Sequence, residues 1–219
     1  MWLSCWSGPN VGVVGDSGLN IEGFRRWATG NLADNRNRGI FAEWMVGYAL
    51  GCIGPDAYRV EWDSFDLQYG DVKVEVKASG YSVTWNPNNA TIPKFTIAGQ
   101  KWTWLTNEEA PAVLANLPEG VEYECRRSGV WIKNDPPHRS ADVYVFCLHK
   151  SLPATNENVA DPGTWAFWVV ATKTLDDDLG GQKTLGLKRL DSLASRVKWS
   201  EIRQAVDRAI KAPGGKGER

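Results

Sequence analysis

Residues that bind zinc are scarce in this sequence. Its 219 residues include four cysteines, no two of which form a Cys-x-x-Cys pair, and only two histidines. A structural zinc site needs four closely spaced ligands of these types, so the sequence predicts none. Scattered cysteines are also typical of a protein from a reducing compartment.

Long apolar runs are missing as well. No stretch approaches the roughly 20 residues that a membrane-spanning helix needs, and the N-terminal residues lack the basic and then apolar segments of a signal peptide. We therefore expect a cytoplasmic protein without a membrane partner. The net charge is -1, so there is no overall basic character to indicate nucleic acid, although catalytic carboxylates can offset basic patches elsewhere.

The composition that remains is typical of a folded globular protein. Hydrophobic residues make up 42% and charged residues 23% of the chain, and this length can bury a sizeable core. We predict a single α/β (α+β) domain over residues 1–219. Its core covers about 20–98 and 139–211, residues 99–140 form an insertion, and residues 212–219 are a disordered tail.

Local patterns predict the individual elements. Predicted helices cover Asn20 to about Gly30, Arg38–Leu50, Asn107–Asn116 and Trp199–Lys211. Predicted strands cover Ala57–Trp62, Tyr81–Trp85, Lys94–Ile97, Asp142–Leu148 and Trp165–Ala171, with a short strand or turn within Gln182–Leu190.

The most informative stretch is Ser64–Lys77. Polar and apolar residues alternate on both sides of Gly70-Asp71, which predicts a β-hairpin with a two-residue turn. Pairing Tyr69 with Val72 fixes the register. That register places four apolar side chains on one face: Phe65, Leu67, Val74 and Val76.

The other face of this hairpin opposes two carboxylates. Asp66 lies across from Glu75, and like charges in directly opposed positions are destabilising. A proton on one of them, or a cation between them, removes the conflict. Mg²⁺ or Mn²⁺ takes one or two carboxylates together with water and phosphate oxygens, and Lys77 points to the same face. The plain alternative is a solvent-facing strand, since Glu-x-Lys is common by chance.

A third carboxylate, Glu43, stands in the predicted helix Arg38–Leu50. This helix carries apolar residues on every side, which indicates a buried helix. A buried carboxylate needs a cation, a metal, hydrogen-bond donors or a proton. We interpret Glu43 as facing the carboxylates of the hairpin; the alternative is an ion pair with Arg36 or Arg38.

These pieces, in this order, resemble the PD-(D/E)xK superfamily of restriction-endonuclease-like nucleases, and in particular its bacterial and phage members of unassigned role. The resemblance covers roughly Arg38 to Ala171. It rests on four segments: Asn37–Glu43, Trp62–Leu67, Glu75–Ser79 and Arg139–Phe146.

The chain departs from the family motif at one position, because Phe65 stands where the motif has proline before its aspartate. Asp56 follows a literal proline, and Asp63 is a further candidate. Asp63 has the opposite strand parity to Asp66, and Asp56 is remote from the position that pairs with Glu75. We therefore assign the motif aspartate to Asp66.

The resemblance implies a restriction-endonuclease-like mixed β-sheet flanked by helices, and a DNA endonuclease dependent on Mg²⁺ or Mn²⁺. Many such enzymes cut duplexes as dimers, so duplex DNA and a homodimer are the implied partners. Asp66, Glu75 and the Val76 carbonyl would bind metal. Lys77 would position or deprotonate the attacking water, and Glu43 would bind a second metal or orient a metal-bound water.

Phosphate contacts would come from arginines and lysines elsewhere in the chain. The candidates are Arg25, Arg26, Arg36, Arg38, Lys188 and Arg189. For each of them, an ordinary solvated surface charge is the alternative. A non-catalytic DNA-binding or assembly module on the same fold is the alternative function, and the presence of all four catalytic residue types favours the enzyme.

Overall fold

A computed structural model of the protein describes residues 20–59 and 64–211. Its helices are α1 (Ile21–Thr29), α2 (Asn35–Leu50), α3 (Ala110–Leu114), α4 (Asn156–Ala160), α5 (Thr172–Leu179), α6 (Leu187–Leu193) and α7 (Ile202–Lys211). Its strands are β1 (Leu67–Tyr69), β2 (Val72–Gly80), β3 (Lys94–Thr96), β4 (Gln100–Thr106), β5 (Tyr123–Arg126), β6 (Gly129–His138), β7 (Val143–His149), β8 (Trp165–Ala171) and β9 (Thr184–Gly186). The tail 212–219, Asp63 and the end of the predicted strand Ala57–Trp62 lie outside the described residues.

A four-stranded mixed sheet forms the centre of the fold, in the order β1-β2-β7-β8. β2 pairs antiparallel with β1 and parallel with β7, and β7 pairs antiparallel with β8. The predicted mixed α/β architecture is thereby confirmed. The strands predicted for Asp142–Leu148 and Trp165–Ala171 are also present, as β7 and β8, and match the predicted ranges to within a residue at each end.

Both faces of the central sheet are covered. Alternate residues of β7 pack into two separate clusters: Val143, Val145 and Cys147 face α2 and α7, whereas Tyr144, Phe146 and Leu148 face β3, α5, β9 and α6. A strand alternates its side chains between faces, and here each face meets a hydrophobic layer. All seven residues of β7 are therefore buried.

Helix α2 begins earlier than the sequence predicts. Asp34 is its N-cap, and the Asp34 carboxylate accepts hydrogen bonds from the N–H groups of Arg36 and Asn37. Aspartate is a strong N-cap because it pairs N–H groups that the helix itself leaves free. Residues 35–37, which precede the predicted start at Arg38, therefore belong to the first turn of α2. At the other end Gly51 is the C-cap, with the left-handed φ of 73° that glycine adopts readily.

The prediction that α2 is buried on every side is wrong. Trp44 and Tyr48 are 48% and 60% exposed. The buried side approaches β1 closely at Gly47, where an added Cβ would lie 2.3 Å from the Ile53 Cδ1 atom and 3.2 Å from Leu67. Glycine at this position lets α2 lie directly against the hairpin that carries Asp66.

Residues 100–138 build a second sheet with the order β4-β6-β5. Ala110, Val130 and Ile132 form its own small hydrophobic cluster. The helix predicted for Asn107–Asn116 is present as the shorter α3. β6 runs through Pro136 and Pro137, and its pairing with β4 carries a bulge near that end.

Two predicted strands are absent from the described part of the chain. Residues 57–59 have no regular structure, and Tyr81–Trp85 forms bends and turns with a single bridge between Val83 and Asn86. The other predicted elements are present with shifted ends. In residues 20–59 and 64–211, no helix has the length and apolar character to cross a membrane.

Candidate functional site

The hairpin of β1 and β2 has the predicted register. Tyr69 pairs with Val72, and Leu67 pairs with Val74. Gly70 has a φ of 58°, the positive value that a two-residue hairpin turn requires at its first central position. The register therefore brings Asp66 to the position next to Glu75.

Backbone pairing of the hairpin ends at Leu67. The Asp66 N–H still donates to the Val74 carbonyl at 3.1 Å, but the Asp66 carboxylate then accepts a hydrogen bond from the Val76 N–H at 2.7 Å. Since an extended residue directs its N–H and C=O to the same edge of the strand, the Val76 carbonyl also faces this edge. Asp66 and the Val76 carbonyl are thus neighbours.

Phe65 does not lie on the apolar face predicted for it. Leu67 and Val76 pack in the cluster with α2, whereas Phe65 packs in the cluster on the opposite side of the sheet, with the Lys73 ammonium 5.4 Å from its ring centroid. The alternation of side chains between the two faces ends at Asp66, because its carboxylate, and not a backbone carbonyl of β1, accepts the hydrogen bond from the Val76 N–H. Beyond that point, strand parity no longer determines where side chains point.

Three carboxylates interact electrostatically around the end of this hairpin. Burial raises the pKa of Glu43, Asp66 and Glu75 and is the largest cause in each case. The negative charge of Asp66 raises the pKa of both Glu43 and Glu75 further. The structure therefore brings these residues together from α2, from the chain just before β1 and from β2.

Lys77 is the cation nearest to Glu75. The Lys77 Nζ donates to the Glu75 Oε1 in an ion pair, and the two side chains are only 29% and 13% exposed. The positive charge of Lys77 lowers the pKa of all three carboxyls and opposes the effect of burial. Lys77 therefore stands in the same electrostatic cluster as the carboxylates, as the sequence predicts.

Arg59 is a residue of the site that the sequence did not indicate. It donates through Nε to one oxygen of Glu43 and through Nη2, at 3.1 Å, to the other. Both Glu43 oxygens thus go to Arg59, whereas the sequence suggested Arg36 or Arg38 as the partner. Arg59 lies in a segment without regular structure, so no periodicity in the sequence could connect it with α2.

The donor set fits a metal that takes few protein ligands. Among the described residues, no three Asp, Glu, His or Cys side chains are grouped so that they could hold an ion as they stand. Glu43 is paired with Arg59, and Glu75 is paired with Lys77. Mg²⁺ commonly takes one or two carboxylates and completes its shell with water and phosphate. Asp66, Glu75 and the Val76 carbonyl meet that requirement, whereas Glu43 would first have to leave Arg59.

A cavity of about 380 Å³ opens beside the cluster. Glu43, Arg59 and Asp66 lie in its wall, together with the rings of Trp44 and Tyr58. Neither Glu75 nor Lys77 contributes to that wall. The cavity therefore adjoins the site on the side of α2, where an aromatic or sugar ring would contact apolar surface.

Gln100 connects the second sheet to the segment before Asp66. Its amide donates to the Ser64 carbonyl at 2.7 Å, and its side-chain oxygen accepts from the Ser140 hydroxyl at 2.7 Å. These bonds fix the chain at the point where β1 pairing is lost. No pattern in the sequence indicates Gln100, because its role depends on contacts between distant segments.

The six predicted phosphate-binding cations are not equivalent. Arg38 is only 4% exposed and donates through Nη2 to Asn35 at 2.8 Å and to the Ser82 carbonyl at 2.9 Å; burial lowers its pKa. The alternative of an ordinary solvated surface charge is therefore wrong for Arg38, since its guanidinium is buried and ties α2 to the loop after β2. The other five are exposed: Arg25, Arg26, Arg36, Lys188 and Arg189.

Two of these exposed cations already have carboxylate partners. Arg25 pairs with Glu22 within α1, a helix that contains no buried residue. Arg189 pairs with Asp178 at 3.2 Å, with both side chains about half exposed. Exposed pairs of this kind contribute little to stability, so either arginine can exchange its partner for a phosphate.

Comparison of the chain with protein-family models, with curated proteins and with solved structures finds no match.

Proposed function

We propose that the protein is a divalent-metal-dependent nuclease that hydrolyses phosphodiester bonds, acting as a DNA endonuclease on a restriction-endonuclease-like fold of the PD-(D/E)xK superfamily. One observation carries the proposal. Three partly buried carboxylates, one each from α2, the chain before β1 and β2, lie with Lys77 of β2 where the hairpin stops pairing. Groups with such perturbed pKa values concentrate at functional sites.

The charges of the cluster support a cation there. Glu43, Asp66 and Glu75 are three carboxylates, and Lys77 and Arg59 are the two cations paired with Glu75 and Glu43. Asp66 has the Val76 N–H as its direct hydrogen-bond donor. Burying a carboxylate without a counterion is costly, and Mg²⁺ or Mn²⁺ between Asp66 and Glu75 would offset that cost.

Each residue then has a definite task. Asp66, Glu75 and the Val76 carbonyl would hold the metal. When bound, the metal lowers the pKa of a water and neutralises charge on a phosphate. Lys77 would orient that water or take its proton, and it would also balance charge on the phosphate oxygens. Glu43, held by Arg59, would accept a hydrogen bond from a metal-bound water.

The alternative function is a non-catalytic DNA-binding or assembly module. The two ion pairs favour it, because Lys77 and Arg59 satisfy Glu75 and Glu43 without any metal. On this alternative the cluster holds the hairpin against α2 and does nothing more. The two functions differ in one respect: only the nuclease needs an ion at Asp66.

A cleavage assay separates them. Labelled duplex DNA, single-stranded DNA and RNA are incubated with the protein in Mg²⁺, Mn²⁺, Ca²⁺ or EDTA. The nuclease proposal expects cleavage in Mg²⁺ or Mn²⁺ that is lost in EDTA and in Glu75→Gln. Glu22→Gln, a change at an exposed carboxylate of α1, is the matched control and should cleave normally. Absence of cleavage on every substrate would favour the non-catalytic module.

A further inference from the structure

A groove made of two adjoining cavities lies along the end of β2, beyond the candidate site. Its first part is a cavity of about 430 Å³ lined by residues 78–80 of β2 together with Arg38, Trp85 and Lys94. Its second part is a cavity of about 640 Å³ lined by Lys94, Lys188 and Arg189. Both cavities share residues 92–94 as a wall. We call the two together the basic groove.

The basic groove has a single sign of charge. Among the described residues, every charged side chain in its walls is a cation: Arg38, Lys94, Lys188 and Arg189. The chain as a whole has a net charge of -1, so the concentration of positive charge in the groove does not reflect a basic protein overall. A cleft lined by one sign of charge focuses the field and attracts a ligand of the opposite sign.

The position of the groove relates it to the carboxylate cluster. β2 carries Glu75 and Lys77 and then continues into the groove wall at residues 78–80. A strand rises about 3.3 Å per residue, so Ser79 lies roughly 7 Å beyond Lys77. A polyanion bound at Lys77 would therefore enter the groove within one repeat unit.

Two further observations point to the chemistry of the occupant. The Arg38 Nη1 atom is buried and has no hydrogen-bond acceptor among the described residues, although the same side chain lines the groove. Trp85, at the groove wall, is 79% exposed. The Arg38 guanidinium adds positive charge behind the groove wall, and an exposed indole suits the face of a base.

We propose that the basic groove binds the phosphodiester backbone of a nucleic-acid strand beside the cleaved bond, with Trp85 stacking on one of its bases. The proposal rests on the proposed nuclease function for the substrate class. It assigns binding to Lys94 and Trp85, which no motif indicated. Among the cations predicted from sequence it selects Lys188, Arg189 and Arg38 and leaves out Arg25, Arg26 and Arg36.

Binding can be measured without cleavage. Fluorescently labelled single-stranded and duplex DNA are titrated with the full chain in EDTA, by anisotropy, at several salt concentrations. The test variant is Lys94→Ala with Lys188→Ala. The matched control is Lys101→Ala with Lys211→Ala, two exposed lysines outside the groove. Circular dichroism melting shows whether each variant is folded.

The test variant should bind DNA at least about tenfold more weakly. The plot of log affinity against log salt concentration should become less steep, with the magnitude of its slope smaller by between about 1.4 and 1.8, because two phosphate contacts are lost. The control should keep both values. Trp85→Ala should weaken binding about tenfold with the salt slope unchanged, because stacking releases no counterions. Affinity and slope equal to those of the control would overturn the proposal. So would equal competition by polyglutamate, which would indicate an acidic protein partner.

The results also separate this proposal from the nuclease proposal. Groove-dependent binding without cleavage in any metal leaves the basic groove standing and removes the nuclease. Metal-dependent cleavage with binding that does not depend on Lys94, Lys188 or Trp85 removes the basic groove and leaves the nuclease.

Discussion

The Asp66 carboxylate accepts a hydrogen bond from the Val76 N–H at 2.7 Å, and this bond ends the backbone pairing of the hairpin. One short contact thus performs two tasks. It fixes the Asp66 carboxylate beside the Val76 peptide, and it frees the edge of β2 beyond Val76 from β1. The carboxylate cluster and the basic groove both lie along that freed edge.

Metal binding should stabilise the fold through Asp66. At a metal concentration about 100 times the dissociation constant, the free energy of unfolding increases by about 2.7 kcal/mol. For a chain of this size, that increase corresponds to a rise in Tm of roughly 5–10 °C. We expect this rise with Mg²⁺ or Mn²⁺ in the wild type and none in Asp66→Asn. Asp177→Asn, at an exposed carboxylate of α5, should behave like the wild type in differential scanning fluorimetry. A wild-type Tm unchanged by both ions would contradict the metal site.

Without metal, Asp66→Asn should be more stable than the wild type at neutral pH. Burial raises the pKa of Asp66 above its ordinary 3.8, so the folded state binds the proton more tightly than the unfolded state. The ionised carboxylate therefore destabilises the fold as the pH rises through the folded pKa. Asparagine stays neutral and can still accept from Val76. Urea unfolding in EDTA should show the two proteins converging as the pH falls towards 3.8; a constant difference would refute the assignment.

Lys77→Ala should lower the rate of metal-dependent cleavage at least about 100-fold while metal still raises the Tm. The reason is that Lys77 acts on the water or phosphate, whereas Asp66 and Glu75 bind the ion. Lys101→Ala is the control for the loss of one positive charge. If Lys77→Ala instead abolished the rise in Tm and left the cleavage rate in saturating metal unchanged, Lys77 would be a structural counterion of Glu75.

Arg59→Gln should destabilise the protein by roughly 1–3 kcal/mol, because it leaves the Glu43 carboxylate, only 16% exposed, without its bidentate partner. Glu43→Gln in the same protein should recover part of that loss. A double-mutant cycle by urea unfolding measures the coupling. Additive effects of the two changes would show that the pair contributes nothing to stability.

His149 should make the protein sensitive to acid. It is fully buried on β7, and burial together with the charge of Arg38 lowers its pKa from 6.5 to about 4. The stability that depends on neutral His149 is therefore present above pH 6.5 and is lost as the pH falls towards 4, by up to roughly 3 kcal/mol. His149→Phe keeps a ring against Trp165 and should flatten this part of the pH profile of unfolding. An unchanged profile would place the acid sensitivity elsewhere.

Local patterns in the sequence predicted the hairpin, β7, β8 and α1. Each of these depends on short-range information: strand alternation, a glycine in the turn, a seven-residue apolar run or an asparagine N-cap. The register of β1 with β2 follows in the same way, and it places Asp66 next to Glu75.

The remaining errors have a common physical origin. Phe65 lies on the opposite face of the sheet from the predicted one because the Asp66 side chain, and not the backbone of β1, binds the Val76 N–H. Tyr81–Trp85 alternates like a strand but has only an isolated bridge as pairing partner among the described residues. Arg59 and Gln100 reach the site through contacts between distant segments. None of these outcomes is encoded in the spacing of nearby residues, so sequence reading alone could not supply them.

The parallel pairing of β2 with β7 has a consequence for how the protein folds. β1 and β2 are joined by a turn and can meet at once, but an isolated two-stranded hairpin is marginal in water. Val74 pairs with Val143, so β7 reaches β2 only after the chain between them has closed a long loop, which is slow. The carboxylates therefore become buried late in folding, when the hydrophobic core on both sides of β7 forms. A nascent chain that ends before β7 would carry all four motif residues and still lack the electrostatic environment that makes them a site.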